Sequence, residues 1–350
     1  MALRPIPAAI CHLTRIIGRG TMKKTSFSGE IMKRSSVLSL FLAIVLVFAL
    51  TACKPTVQEP SSSVSEPESS SQIIDPNWPV SVGGETIDAK PVAVASLSPA
   101  LTELLFDMGY GTAVTAVSDY CNWPAQVQNL PKTGSAQQPD IKAIVTAAPD
   151  VVVTHTQLSE QDLIALQQAN IPVVVLQRAR LPENLLDLYV DIARLMEGEE
   201  DGPEAGKTFY NLQMGRVEAL KARVDAAVRE SGKTTSVSYL RLLDYTVATG
   251  DTFEGAMLEA VGFENAAKAY GNWTWPADLT DKYKPDYIFS DLSITMKMLE
   301  QNKNYKNLNA TIHDLWGAYD FTAFERQGVR MFDILEDMVD LVYGQPTSTT

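Results

Sequence analysis

Val92-Ala93-Val94-Ala95-Ser96-Leu97-Ser98-Pro99-Ala100-Leu101-Thr102-Glu103-Leu104-Leu105 holds a strand, a turn and a helix in one short run. Val92 to Ser96 is a strand pattern. Ser98 is an N-cap and Pro99 takes the first helical position, where its missing N–H costs nothing. Leu101, Leu104, Leu105 and Met108 then share one helical face, and Gly109 stops the helix.

The same plan recurs along the chain. A second helix starts at Asp140, and Pro149-Asp150 leads into the strand Val151-Val152-Val153, followed by His155. Later, Ser236 to Leu240 is a strand, and Phe253, Met257, Leu258 and Val261 line a helix closed by Gly262. Pro285-Asp286 then precedes the strand Tyr287-Ile288-Phe289, which ends at Asp291. Strands alternating with helices predict an α/β fold of two lobes, each a mostly parallel sheet flanked by helices. Continuous apolar runs such as Pro172-Val173-Val174-Val175-Leu176 suit strands buried on both faces. Between the halves lies helical sequence. Leu185 to Met196 reads as one helix, broken around Gly198–Pro203, and Glu204 to about Glu230 reads as a second. The second is roughly 40 Å long at 1.5 Å per residue, enough to join the lobes by one rigid crossing.

The N-terminal part has a different character. Lys33 and Arg34 precede an apolar run from Val37 to Ala52, and Leu50-Thr51-Ala52-Cys53 ends it. The order of positive, apolar and small residues is that of a secretory signal, and the run is shorter than the roughly 20 residues of a spanning helix. The tetrapeptide resembles the bacterial lipobox, which implies that Cys53 is lipidated and that the protein works outside the cytoplasm, anchored to the cell membrane. Met1, Met22 and Met32 are all candidate starts, Met32 giving the most compact signal. From Lys54 to about Asn77 the chain is Pro, Ser, Glu and Gln with hardly an apolar residue, and too little can be buried to offset ordering entropy. The expected organisation is a presequence and signal at 1–52, a disordered tether at 53–90 and an N-terminal lobe at 91–181. A helical region with the inter-lobe helix at 182–232, a C-terminal lobe at 233–344 and a tail at 345–350 follow.

Cleavage before Cys53 would remove seven Lys/Arg and one acid, taking the formal net charge from −13 to −19. That balance argues against nucleic acid as a partner. Cys121 is then the only cysteine besides Cys53, so no intrachain disulfide is expected.

Ser96 to Leu105, Val117-Ser118-Asp119-Tyr120-Cys121-Asn122-Trp123-Pro124, Pro149 to Val153 and Phe324-Glu325-Arg326 together resemble the substrate-binding proteins of ABC importers for cobalamin, siderophores and haem. The likeness runs from about Val92 to Gly344. It implies two α/β lobes joined by one long helix, a ligand held in the cleft between them, and an ABC permease with its ATPase subunits as partners. The Ser118-to-Pro124 stretch and the Trp275-Pro276 pair are most similar to the cobalamin binders. Corrinoid is therefore the first expected ligand, with ferric siderophore or haem as the alternative and an adhesive or structural surface lipoprotein as a third reading. A monomer without a resident cofactor is expected.

Ligands of open parallel sheets sit beyond the carboxyl ends of the strands. That rule nominates Ser98, Tyr120, His155, Arg178, Tyr245 and Asp291 for substrate binding. The second lobe adds Trp273, Trp275, Phe324 and Arg326, and Trp123 joins Tyr120 among aromatic platforms for a large flat ligand. His155 and His313 are the only histidines after the signal, too few for a bare metal-ion site. A haem could still be ligated by a tyrosine. The resemblance also implies an acid on each lobe that docks against permease arginines. Lys142 stands where the first-lobe glutamate is expected, leaving Asp140, and the second lobe offers Asp278 or Asp281. Ala136 stands where the cobalamin binder places a cleft tryptophan. Gly202 to Thr208 is one residue short of a phosphate-binding loop and follows no strand, and Cys121 with His155 lacks a third orienting residue. No enzymatic activity is expected.

Overall fold

Alternate residues of the central strands enter different cores, which is why those strands are apolar throughout. The computed structural model describes residues 75–241, 245–274 and 283–344. The signal, Cys53, Trp275, Asp278, Asp281 and the tail lie outside the described residues.

The first described strands correct the tether. β1 (Val80–Val82) and β2 (Glu85–Ile87) pair as an antiparallel hairpin within the stretch expected to be disordered. Trp78, Val80, Val82 and Ile87 are buried, and the Gly83 carbonyl accepts a hydrogen bond from the Val175 N–H. Alternating Val80 and Val82 supply one apolar face, short enough to be overlooked beside a polar tract.

In the first lobe, β3 (Val94–Ser96), α1 (Pro99–Asp107), β4 (Val114–Val117), α2 (Ile141–Ala147), β5 (Val151–Thr154), α3 (Glu160–Gln168) and β6 (Val173–Val175) follow in turn. The four strands make a parallel sheet in the order β4-β3-β5-β6. Ser98 caps α1 as its sequence requires, its Oγ accepting from the Leu101 N–H. Val94, Val151, Val153 and Val174 face one core, while Ala95, Val152 and Val173 face another with Ile144 and Leu166.

α4 (Leu185–Ser231) follows, and it is two limbs rather than one rod. Gly198 has φ 93° and ψ −170°, so the helix breaks there, and the limbs fold back on each other. A Cβ on Gly202 would lie 2.5 Å from the Arg194 Cα, and one on Gly206 2.5 Å from the Val190 Cα. Glycine alone permits backbones this close. Asn77 caps the second limb from outside the helix: its carbonyl accepts from Glu199 N–H and its Oδ1 from Glu200 and Asp201 N–H.

The second lobe contains β7 (Ser236–Arg241), β8 (Thr246–Val247), α5 (Phe253–Ala260), β9 (Glu264–Asn265), β10 (Tyr287–Asp291), α6 (Met296–Gln301), α7 (Asn309–Ile312), β11 (Trp316–Tyr319), α8 (Phe321–Glu325) and α9 (Val329–Tyr343). Its sheet runs β11-β10-β7-β8, with β9 also on β7, and only β8 is antiparallel. α9 returns along α4, where Arg216 pairs with Asp333 at 2.6 Å and Arg223 with Asp340 at 2.6 Å. The fold is thus α/β, with two parallel-sheet lobes and a long helix between them.

Candidate functional site

In the first sheet β4 lies on one side of β3 and β5 on the other, so chain order reverses at β3. The loops after β3 and β5 therefore diverge and leave a crevice at their carboxyl ends. A cavity of ≈ 540 Å³ opens there, lined by Ser98, Tyr120, Asn122, Ser135, Gln137, Thr154, His155, Thr156 and Arg178. Thr322, Glu325 and Arg326 of the second lobe close its other side. A second cavity of ≈ 430 Å³ is lined by Arg178, Arg180, Asp251, Glu254, Asn272, Trp273 and Glu325. Arg178 and Glu325 border both, and an Arg178 Nη2 donates to the Glu325 carbonyl across the cleft.

Ser98, Tyr120, His155 and Arg178 are thus brought together as the strand-end rule expected, and Arg326 of the second lobe joins them. Tyr120 is 70% exposed, its ring free on the cavity wall. Trp273 is on the second cavity, edge-on to Phe321 with the Arg241 guanidinium 5.1 Å above its ring. The other nominees among the described residues line neither cavity. Phe324 is fully buried, stacked on Tyr239 at 5.1 Å, because its face of α8 packs inward. The Asp291 carboxylate is consumed by the Ser293 and Phe321 N–H groups and the Ser293 hydroxyl, fixing the turn after β10. Tyr245 packs against Tyr305, whose hydroxyl donates to the Tyr245 carbonyl. Trp123 lies under the Arg330 guanidinium, 4.6 Å from its ring centroid. Asp140 caps α2 through the Ala143 N–H at 2.9 Å, so its carboxylate already has an intramolecular role.

Sequence reasoning missed the neutral polar lining: Asn122, Ser135, Gln137, Thr154, Thr156 and Thr322. Thr322 and Glu325 follow β11 and were within reach of the strand-end rule, had Trp316–Tyr319 been recognised as a strand.

A buried ion cluster forms the seam behind the cavity. Glu103 is fully buried, and Arg326 is 7% exposed. Arg326 donates to Glu103 at 3.2 Å and to the Asn122 Oδ1 at 2.7 Å. Arg330 donates to both Glu103 oxygens, at 3.0 and 2.6 Å. Gln327 donates to the Ala179 carbonyl and accepts from its N–H. The Arg326 that faces the cavity therefore carries a charge already balanced by Glu103. Burial pushes up the carboxyl pKa of Glu254 and of Glu325, against the Arg178 and Arg241 guanidinium groups nearby.

His155 donates from Nδ1 to the Leu176 carbonyl at 2.7 Å. Burial lowers its pKa from 6.5 to about 4, against that hydrogen bond and with help from the Arg178 charge. The folded value lies below the unfolded one, so the unfolded chain binds a proton between these pH values that the native state refuses. The stability this contributes is complete above 6.5 and is lost as pH falls toward 4. Between pH 7 and 4.5 the loss should be roughly 2–3 kcal/mol. Denaturant unfolding at both pH values should show it as the difference between wild type and His155→Asn, because Asp107, whose pKa burial raises to about 6, acts in the opposite sense in both proteins. An equal pH dependence of the two would exclude this role.

Residues 94–314 match the sequence model of the periplasmic binding protein family. An uncharacterized ABC transporter substrate-binding lipoprotein of Bacillus subtilis, YvrC, is 22% identical over 260 residues, covering 74% of this chain and 82% of its own. A cobalamin-binding protein of Halobacterium salinarum is 26% identical over 210 residues, 59% of this chain and 52% of its own. The periplasmic haem-binding protein HutB of Vibrio cholerae shares the fold, with a TM-score of 0.62 at 19% identity over 72% of this chain and 99% of that one. With the family's sequence pattern running through both lobes, the chain belongs to the periplasmic binding protein family.

Proposed function

We propose that this chain is the lipid-anchored, extracytoplasmic substrate-binding protein of an ABC importer, and that it holds a corrinoid between its lobes for delivery to the permease. The carrying observation is the chemistry of the first cavity. Its polar lining is mostly hydroxyl and amide groups, and its Arg326 is neutralised from behind by Glu103. Such a surface suits a large neutral ligand fringed with carboxamides, which can donate and accept in turn. A ferric catecholate, by contrast, is strongly anionic and calls for several unpaired cations, whereas of the two lining guanidinium groups Arg326 is paired with Glu103 and Arg178 is held by the Glu325 carbonyl. Haem calls for apolar walls, which Leu97, Pro99, Ala100 and Ala136 supply in part, and for a metal-ligating side chain, for which the exposed Tyr120 is the available group. The cobalamin-binding name of the Halobacterium relative supports the corrinoid reading, and the lipoprotein name of the Bacillus relative supports anchoring through Cys53. Binding is reversible and involves no chemistry on the ligand.

Calorimetric titration of the purified protein with cyanocobalamin, haemin and a ferric-siderophore panel tests the reading. A saturable heat with cyanocobalamin, at affinity well above that for the others, is expected. Tighter binding of haemin or of a siderophore than of cyanocobalamin would replace the corrinoid as ligand.

A further inference from the structure

His155, in the first cavity, has a hydrogen-bonding capacity that is fixed and unfilled among the described residues. Its Nδ1 faces the Leu176 carbonyl, which can only accept, so Nδ1 carries the proton. Nε2 is then a lone pair, and it is buried with no hydrogen-bond partner among the described residues. A buried acceptor left in this state is costly, and the cost is relieved only by a donor. The hydroxyls and amides along the same wall can rotate to donate or accept, whereas the His155 ring is held by its Nδ1 bond. Arg178, whose guanidinium spans the cleft to the Glu325 carbonyl, lies on the same cavity.

Resting on the corrinoid reading, we propose that His155 Nε2 is the fixed acceptor of the site, taking a hydrogen bond from a peripheral carboxamide N–H of the ligand and not coordinating its metal. Depth decides between the two. A metal–imidazole bond is about 2 Å long, and the metal of a corrinoid lies at the centre of a broad ring. That ring cannot bring its centre so close to a nitrogen enclosed by protein. A carboxamide arm at the ring's edge is narrow enough to reach in from the cavity that His155 lines. A carboxylate in the same place brings no proton, so it leaves Nε2 unsatisfied unless the imidazole takes one up.

The test is titration of the full-length purified protein with cyanocobalamin and with its monocarboxylates, each having one peripheral carboxamide hydrolysed to an acid. Wild type, His155→Leu and His155→Gln are compared near pH 7, in buffers of different ionisation enthalpy. Cyanocobalamin should bind wild type without proton exchange. His155→Leu should weaken that binding roughly ten- to hundredfold, and His155→Gln, whose side-chain oxygen can accept, should recover part of the loss. At least one monocarboxylate should bind wild type roughly tenfold more weakly or with uptake of a proton. Undiminished binding by a folded His155→Leu overturns the proposal, as does equal, proton-neutral binding of every monocarboxylate. A shift of the corrin absorption bands that reports imidazole on cobalt overturns it as well. Should the leucine variant not fold, the monocarboxylate series on wild type decides alone. If wild type binds no corrinoid at all, the parent reading falls first, and that result is distinct from binding that ignores His155.

Discussion

Glu103→Ala is expected to lower the unfolding free energy by about 3–5 kcal/mol, the usual cost of removing one partner from a buried ion cluster. Glu103 is fully buried on α1 and receives hydrogen bonds from both Arg326 and Arg330. Alanine would leave Arg326, itself buried, without its ion-pair partner, with the Asn122 side-chain oxygen as acceptor and the Glu325 carboxylate nearby. Arg330 is less affected, since Asp320 lies 3.3 Å from it and it is partly open to solvent. The cluster also joins the lobes, because α1 belongs to the first sheet and Arg326 follows α8 of the second. Loss of stability should therefore come with a looser cleft and weaker ligand binding. Equilibrium denaturation of Glu103→Ala reads the first effect, and a loss below about 1 kcal/mol would show that the cluster adds little net stability.

A second large effect is expected where the two limbs of α4 meet. Gly206→Ala would place a Cβ 2.5 Å from the Val190 Cα and 2.7 Å from the Tyr189 carbonyl oxygen. Backbone cannot yield as a side chain can, so the limbs must separate, and about 3 kcal/mol of stability should go with them. Gly215 sits in the same helix with open space around its Cα. Gly215→Ala removes only the entropic penalty of helical glycine, and should raise stability by roughly 0.5–1 kcal/mol. Opposite signs for the two substitutions, read as shifts in denaturation midpoint, are the expected result. A neutral Gly206→Ala would mean that the limbs are not in backbone contact.

These glycines illustrate what was legible in the sequence. The break near Gly198 is visible as a run of Gly, Pro and acids, and Ser98-Pro99 announces the start of α1 by local chemistry alone. Strand ends could be projected to one edge, which is why Ser98, Tyr120, His155 and Arg178 were found together, while Arg326 came from the Phe324-Glu325-Arg326 turn. The fold-back of α4 was not legible, since nothing local ties Gly202 and Gly206 to their partners Arg194 and Val190. Pairings across long stretches of chain were equally hidden. Arg326 reads as a free cation in Phe324-Glu325-Arg326, and only the folded chain brings Glu103 behind it. Asp291 and Phe324 end or follow strands like true cleft residues, yet local turn bonding takes the first and core packing the second. The β1–β2 hairpin escaped because its few apolar residues are buried against α4, which lies far along the chain.

The central claim is that a corrinoid occupies the cavity between the loops after β3 and β5 and the α8 turn. Thr156 is exposed on that cavity, so Thr156→Trp should fill it without disturbing the core. Titration of cyanocobalamin into wild type and into Thr156→Trp, with melting curves for both, is the direct measurement. One molecule bound per wild-type chain, with affinity at least roughly tenfold lower in a variant of unchanged melting temperature, is the predicted result. No binding by wild type, or full-strength binding by a folded Thr156→Trp, would contradict it.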